Sequence, residues 1–535
     1  MSRVAPLLVL CVLIAWSPVA AEESIFDPEN PDAGSETPAA QVDLDPATFA
    51  GSYVLAGAMD ILRDSDGEAV YELRNRVNLR ARTPLSPETS IVLEADFRHL
   101  LLVPKSGDHN GFLPGDFDDV DEAYAPWRAS LGDAFVSTRF GKLLLRVGQQ
   151  RVVWGRTDLA RPLDVLNPAD FTDGPGAAMG ADFASLGTTS PILMAKADYV
   201  GEFATTQFVL VPFFSPHRFS LLSGDFAVAR PGSPLAAQNP ALAALHRLDP
   251  ALYDVIEPAL IGTEVPDEVA SNASAGARVT SHLSGVDVGA SYFFGWDRVP
   301  VIVLDSELQE VLGIISNDER FLLDFDTIGL FTRHPELARL QASVSSKAQA
   351  GQEVLAARYK RWHVLGLDAA TYLGPIGVRA DLAWTPARTF GTGQFQSNRR
   401  ASTNAALGLS YEGGEGEVAL LLEGFWLHVF ERPDDGREER PLIFGRDFPG
   451  VSFGVRVDLE PLANVPLVIQ AGGIVFLARY DYVLSPQLVW RFDGDTRAFV
   501  GAQIYEDPPG RDKRLTIGGL FDTNDQAFLG IEQGF

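Results

Sequence analysis

Cysteine is almost absent from this chain. It occurs once in 535 residues, at Cys11. Met1-Ser2-Arg3 is a short basic opening, Val4 to Trp16 an apolar run, and Ser17-Pro18-Val19-Ala20-Ala21 a small-residue stretch suited to cleavage near Ala21. Residues 1–21 therefore read as an export signal. Cys11 sits too early in it, behind Leu10, for a lipoprotein signal. A mature chain without cysteine has no disulfide, no thiolate metal site and no cysteine nucleophile, and suits an oxidising compartment. Histidine is also scarce, at 8 residues, with no H-E-x-x-H pair. There is no Walker Gly-Lys-Ser/Thr loop and no G-x-S-x-G elbow. Ser281 and His282 are chain neighbours whose side chains leave a strand on opposite faces. We expect no catalytic residue, no cofactor and no metal; the acidic clusters Asp64-Ser65-Asp66-Gly67-Glu68 and Asp116-Phe117-Asp118-Asp119-Val120-Asp121 invite calcium, but neither completes an EF-hand loop, and the first also reads as a hairpin turn. Long apolar runs are missing too. After residue 21 nothing reaches 18 consecutive apolar positions, so no helix crosses a bilayer. Positive charge is in deficit, 43 Lys and Arg against 71 Asp and Glu, for a net −28. That disfavours nucleic acid as a partner.

What is present is strand chemistry. The composition is 46% hydrophobic, with 33 Phe, 49 Gly and 35 Pro, a mix of β-formers and turn residues. Residues 22–49 carry eight acids, no Lys or Arg and four prolines, and read as a disordered acidic periplasmic leader. From Gly51 onward apolar and polar residues alternate. Tyr71, Leu73, Val77 and Leu79 oppose Arg74, Arg76, Arg80 and Arg82. Ile91, Leu93, Ala95 and Phe97 oppose Glu94, Asp96 and Arg98. Val451, Phe453, Val455 and Val457 oppose Arg456 and Asp458. The chain closes on Leu529, Ile531, Gln533 and Phe535 along one face. Eighteen strands are expected, give or take two, near 52–63, 69–82, 88–101, 131–140, 143–154, 192–200, 203–214, 275–284, 286–297, 361–373, 376–388, 402–412, 416–430, 450–460, 466–478, 484–492, 496–506 and 525–535. The strand-like stretch 514–522 is assigned to the last outer loop. Short turns at Gly141-Lys142, Gly201-Glu202, Ser284-Gly285 and Gly374-Pro375 alternate with long connections at 102–130, 155–191, 215–274 and 298–360. Strand length, alternation and this turn rhythm predict an all-β fold: a transmembrane antiparallel up-and-down barrel spanning residues 50–535, with long outer loops. In strand 143–154 the apolar parity switches. A bulge around Gly148-Gln149-Gln150 would keep Val152 and Trp154 facing lipid, with Trp154 in the interfacial aromatic girdle, as Trp426 and Trp490 would be in theirs.

One stretch is distinctive: Val147-Gly148-Gln149-Gln150-Arg151-Val152-Val153-Trp154-Gly155-Arg156-Thr157-Asp158, then Arg161-Pro162-Leu163-Asp164-Val165-Leu166-Asn167-Pro168-Ala169-Asp170-Phe171. It resembles a family of proteobacterial outer-membrane barrels labelled only as a domain of unknown function, whose members show a W-G strand end followed by an L-N-P-x-D loop. Asp121-Glu122-Ala123-Tyr124 and Asn524-Asp525 fit the same resemblance, and alginate-export barrels are a more distant likeness. Gln533 departs from the aromatic or aliphatic residue usual at that position. The resemblance implies a porin-like barrel, with genes near RND-type exporters of lipidic molecules. The expected partners are outer-membrane lipids and lipopolysaccharide, the barrel-assembly machinery acting on the Phe535 strand, and an RND-type exporter or periplasmic carrier.

Trp154, Arg156, Asp158, Arg161, Asp164, Asn167 and Asp170 mix charge with Leu159, Leu163 and Leu166. Such a segment folds onto the wall or into the lumen. It is a constriction loop, a latch whose opposite charges fix it, or both at once. Arg74, Arg76, Arg80, Arg82, Glu94, Asp96, Arg98, Arg379, Asp381, Arg456 and Asp458 would line the pore. They either set up a transverse field or satisfy one another on a wet wall. The apolar stretches of loops 215–274 and 298–360 form a cap for a greasy ligand or a lid packed on itself. The function expected is a channel or export barrel in the outer membrane. The alternative is a plugged barrel acting as a surface binding or structural protein.

Overall fold

The computed structural model describes residues 47–60, 71–102, 127–171, 188–219, 245, 248–252, 265–324, 326–391, 397–414, 417–430, 446–478, 480–492, 494–506 and 525–535. The export signal, nearly all of the leader, the acidic clusters near 64–68 and 116–121, and the stretch 514–522 lie outside them.

Eighteen strands make one sheet. They are β1 (Thr48–Asp60), β2 (Tyr71–Ser86), β3 (Thr89–Leu102), β4 (Trp127–Phe140), β5 (Leu143–Gln150) and β6 (Ile192–Val200). Next come β7 (Thr205–Val211), β8 (Ser274–Leu283), β9 (Val286–Trp296), β10 (Arg361–Leu373), β11 (Ile376–Gly391) and β12 (Ser397–Gly413). The last six are β13 (Val418–Val429), β14 (Asp447–Asp458), β15 (Leu467–Phe476), β16 (Asp481–Arg491), β17 (Thr496–Glu506) and β18 (Gln526–Gly534). Each strand pairs antiparallel with its chain neighbours, and β1 pairs with β18 from Ser52↔Gly534 to Asp60↔Gln526, so the barrel is closed. Beyond that ladder Gly51 and Phe535 exchange backbone hydrogen bonds of 2.8 and 3.0 Å. Closure leaves no unpaired strand edge, the condition for a sheet in hydrocarbon. The start of β1 and the end of β18 lie at the end of the barrel that carries the tight turns. Three of these turns place Gly141, Gly285 and Gly374 at φ of 59°, 86° and 64°, a backbone conformation that side-chain-bearing residues seldom adopt.

Among the described residues no helix is long and apolar enough to cross a membrane; the strands do the crossing. Their outward residues are large and apolar and stay uncovered, among them Leu55, Leu93, Phe97, Leu365, Leu367, Leu407, Leu420, Leu422, Ile469, Leu488, Leu529 and Ile531. So extensive an exposed apolar surface belongs in a bilayer, not in water. Exposed aromatics gather at the short-turn end, where Phe140, Tyr199, Phe203, Tyr372, Trp490, Phe492 and Phe535 lie. Trp426 faces outward near the opposite end of β13, at 44% exposure.

Among the described residues four register shifts interrupt the barrel ladders, two of them between β2 and β3; the other two bear on the site. In β4, Leu93↔Ala134 is followed by Ala95↔Leu131, which leaves one extra residue on β4. In β11, Thr385↔Ser402 is followed by Arg388↔Arg400. That second extra residue falls at Pro386-Ala387, where a ladder already lacks one donor. It turns both Thr385 and Arg388 into the lumen. The bulge expected around Gly148-Gln150 is not there, because β5 keeps unbroken register with β4 and β6. The parity shift belongs to β4, the neighbour of β5.

The connection between β9 and β10 folds on its own. A short hairpin, Val301–Leu304 with Leu355–Arg358, carries helices α1 (Ser306–Asn317), α2 (Glu319–Asp324), α3 (Thr327–Arg333) and α4 (Leu337–Gln349). Asp305 caps α1 by accepting from the Glu307 N–H at 3.0 Å, and Lys347 of α4 bonds the same carboxylate at 2.9 Å. These contacts, with the added pull of Glu307 on Lys347, hold the Asp305 carboxyl below and the Lys347 ammonium above their ordinary values. Leu308, Val311, Leu312, Ile315, Leu330, Leu337, Leu340 and Val344 are buried in the same helices.

Candidate functional site: a loop seated in the lumen

Past β5 the chain does not turn out into solvent. Val152 and Trp154 continue the inward parity of Gln150, and Trp154 is only 1% exposed. It is not a girdle residue. Its indole N–H donates to Gln207 Oε1 at 2.5 Å, and its ring lies so close to β8 that a Cβ on Gly276 would come within 2.6 Å of it. It goes inward because the wall there is apolar on its inner face. Ile192, Met194, Val209, Val211, Phe293, Val364 and Ala383 form one buried cluster with Val152, Trp154, Leu163 and Leu166. Trp426 and Trp490 do face outward, as their parity predicts.

Gly155 makes the turn that carries the chain into the lumen. Its φ is +104°, and a Cβ there would lie 2.4 Å from Asp381 Oδ2. Only glycine meets both demands. The backbone that follows is held by two wall carboxylates. Asp381 on β11 accepts from the N–H groups of Arg156 (2.8 Å) and Thr157 (3.1 Å) and from Thr157 Oγ1 (2.6 Å). Glu423 on β13 accepts from three successive N–H groups, of Asp158 (2.6 Å), Leu159 (2.7 Å) and Ala160 (2.8 Å). Five consecutive backbone donors thus converge on two anions, the geometry of an anion-binding nest. Hydrogen bonds to an ionised acceptor are worth about 1.5–3 kcal/mol each, so this seat outweighs ordinary loop contacts.

Side chains add to it. Arg156 reaches Asp368 on β10 at 3.2 Å, and Arg278 on β8 holds the same carboxylate at 2.8 Å. Arg379 pairs with Asp158. Arg156 and Asp158 therefore pair with the wall. Within the loop, Arg161 Nε donates to the Asp158 carbonyl at 2.9 Å. Asp164 has no such partner for either oxygen; burial pushes its carboxyl up to about 6, against the opposing pull of Arg161 and Arg298. Asn167 Nδ2 reaches the Val152 carbonyl at 3.5 Å. Asp170 pairs with Arg128 at 2.6 Å. His217 accepts the Ala169 N–H at Nδ1 (2.8 Å), and burial with Arg298 and Arg388 nearby keeps its imidazole neutral, its pKa well below the usual value.

The expected wall residues divide into two groups. Arg76 pairs with Asp96 at 2.6 Å, and Glu94 takes Asn78 at 3.0 Å and Arg151 at 3.4 Å, so these charges largely satisfy one another. Arg98 is buried, while Arg80 and Arg82 are exposed. Arg74 and Arg456 share the inward parity of their strands. Asp458 sits at the short-turn end, bonded to Arg491 at 2.5 Å and capping a short helix, α5 (Leu459–Ala463), at the Glu460 N–H. Arg379 and Asp381 serve the loop, and Glu423 and Asp368 join them there. Glu423 carries a signal in the sequence: it is the lone acid among Ala419, Leu421, Phe425 and Leu427 on the inward parity of β13, a position with no reason to be charged unless something is bound to it.

A closed barrel with an apolar outer surface, a charged inner wall and a loop latched inside it defines a membrane β-barrel of porin-like build. Residues 94–452, well over half the chain, match the family model described as "Protein of unknown function (DUF1302)", and the chain belongs to that family. No curated protein matches it. Among solved structures it is similar to Acinetobacter baumannii OccAB1 (7% identity, 91% of this chain and 96% of that one, TM-score 0.48). It is also similar to Pseudomonas aeruginosa OccD3 (OpdP) (8% identity, 92% of each chain, TM-score 0.44). A third is Salmonella typhi OmpF, solved in complex with daunomycin (8% identity, 91% of this chain and 97% of that one, TM-score 0.39).

Proposed function

We propose that this protein is a porin-like channel of the outer membrane, with residues 151–171 as its constriction. The observation that carries the reading is the seat of that loop. Five consecutive backbone N–H groups, at residues 156–160, are gripped by Asp381 and Glu423 from the inner face of the wall. A loop fixed across a water-filled barrel narrows it and selects among solutes. The inward charges Arg74, Arg76, Arg80, Arg82, Glu94, Asp96 and Arg98 would line the path beside it. In the β9–β10 connection Leu308, Val311, Leu312, Ile315, Leu330, Leu337, Leu340 and Val344 are buried among its own helices, while Ile328 is exposed. The proposal extends to contact with lipopolysaccharide, recognition of the Phe535 strand by the barrel-assembly machinery, and delivery of solutes by an RND-type exporter or periplasmic carrier.

Planar-bilayer recording tests it. The purified barrel should give discrete current steps, and deletion of residues 156–171 should raise the step size. Absence of any steps would favour the plugged-barrel reading. Steps of unchanged size after the deletion would retire the loop as a constriction.

A further inference from the structure

On the long-loop side of the latch the seated loop and the wall of β10–β13 line a partly open cavity. Its polar lining is unusual for what the protein leaves unbonded. Asp164 Oδ1 and Oδ2, Asn167 Oδ1 and Asn404 Oδ1 are acceptors shielded from bulk water with no protein donor. Trp362 Nε1 and Arg298 Nε are donors in the same condition. Most other charge around the cavity is matched. Asp297 holds Arg388 at 2.7 and 3.3 Å, Arg388 stacks 4.8 Å from the Trp362 ring centre, and the outer nitrogens of Arg298 bond the Ser215 and Leu166 carbonyls. Val364, Ala383 and Leu427 supply an apolar side. Buried polar groups are normally satisfied, so unbonded donors and acceptors around one cavity call for an occupant that both gives and accepts hydrogen bonds.

We propose that this cavity is a vestibule subsite for a small neutral solute rich in hydroxyl groups. A hydroxyl serves both sets of atoms, since it donates and accepts at one oxygen. An ammonium group would approach Arg161 and Arg298, and a carboxylate would approach Asp164 and Asp297, so either charge meets repulsion inside the site. The C–H face of a sugar ring suits Val364, Ala383 and Leu427. A solute entering from the long-loop end meets this cavity before it meets the latch. The inference deepens the channel reading and rests on it for its role in passage, though not for binding itself.

Glucose is the probe, with sodium gluconate and hexanoate as charged and greasy comparators. Titration calorimetry on the full barrel in detergent, and current recording with glucose added on the long-loop side, give two separate readouts. Glucose should bind and interrupt the current, and the comparators should do so less well. Trp362→Phe, which keeps an aromatic ring but loses the indole donor, should weaken glucose about threefold to tenfold, and Asn404→Leu should do the same, with folding of each variant verified by heat-modifiable gel mobility. Heat and current unaffected by glucose in a conducting barrel would overturn the subsite and leave the channel standing. Tighter binding of gluconate or hexanoate, or full glucose affinity in both variants, would overturn it as well. Glucose binding in a barrel that passes no current would uphold the subsite while the channel reading falls.

Discussion

At the scale of single residues, Gly155 and Glu423 decide whether the loop is seated. Gly155→Ala puts a side chain at φ +104° and brings its Cβ to 2.4 Å from Asp381 Oδ2. Alanine at a positive-φ position costs upward of about 1 kcal/mol before the clash is counted. The cost falls on the seat and not on the barrel, since neither β5 nor β11 depends on this residue for its ladder. Arg156 should then become open to trypsin, and cleavage of the Arg156-Thr157 bond in the folded barrel should speed up several-fold. A cleavage rate equal to that of the parent would show that the turn tolerates a side chain. Glu423→Gln is the milder electrostatic counterpart. It keeps shape and volume but leaves one neutral oxygen where three N–H groups now meet an anion, a loss on the order of 1.5–3 kcal/mol. Single-channel current should rise in amplitude or in flicker. A trace indistinguishable from that of the parent would mean Asp381 alone suffices.

At the scale of elements, the strands were legible and the loop's seat was not. Alternation with period two and tight turns at Gly141, Gly285 and Gly374 place all eighteen barrel strands, because each signal is local and recurs along the chain. Trp154 was misplaced by the same local logic. A tryptophan at the end of a strand is usually interfacial, and here that rule competes with an inner wall whose apolar residues, Phe293, Val364 and Ala383, lie far away in sequence. Arg156 and Asp381 are 225 positions apart. No spacing rule joins them; only closure of the barrel does. The seated loop also carries a pH dependence. Burial raises Asp164 to about 6 from an ordinary 3.8, so between those values the seated loop holds a proton that a released loop would give up. Seating is therefore favoured as pH falls from about 6 towards 3.8, by about 1.4 kcal/mol for each unit crossed, and does not change with pH above about 6. Conductance should be lower at pH 5 than at pH 8, and Asp164→Asn should flatten that dependence. A steeper or inverted profile in the variant would assign the titration to another group.

At the scale of the whole molecule, everything rests on which surface meets hydrocarbon. Leu422 lies at the middle of β13, half exposed on the outer face, between Leu409 of β12 and Phe453 of β14. Leu373 also faces outward, but it ends β10 beside the tight turn at Gly374. In a water-soluble barrel an arginine at either place would be harmless, since both sites would simply be wetted. In a bilayer the two differ by depth. Leu422→Arg carries a charge to the midplane at about 2–4 kcal/mol, whereas Leu373→Arg lets the side chain reach the headgroups at about 0–1 kcal/mol. Folding into phospholipid vesicles, followed by urea titration, should therefore rank the parent and Leu373→Arg close together and Leu422→Arg well below both. Equal stability of the two arginine variants would remove the membrane from the outer face of this barrel, and with it the reason to read the loop inside as a constriction.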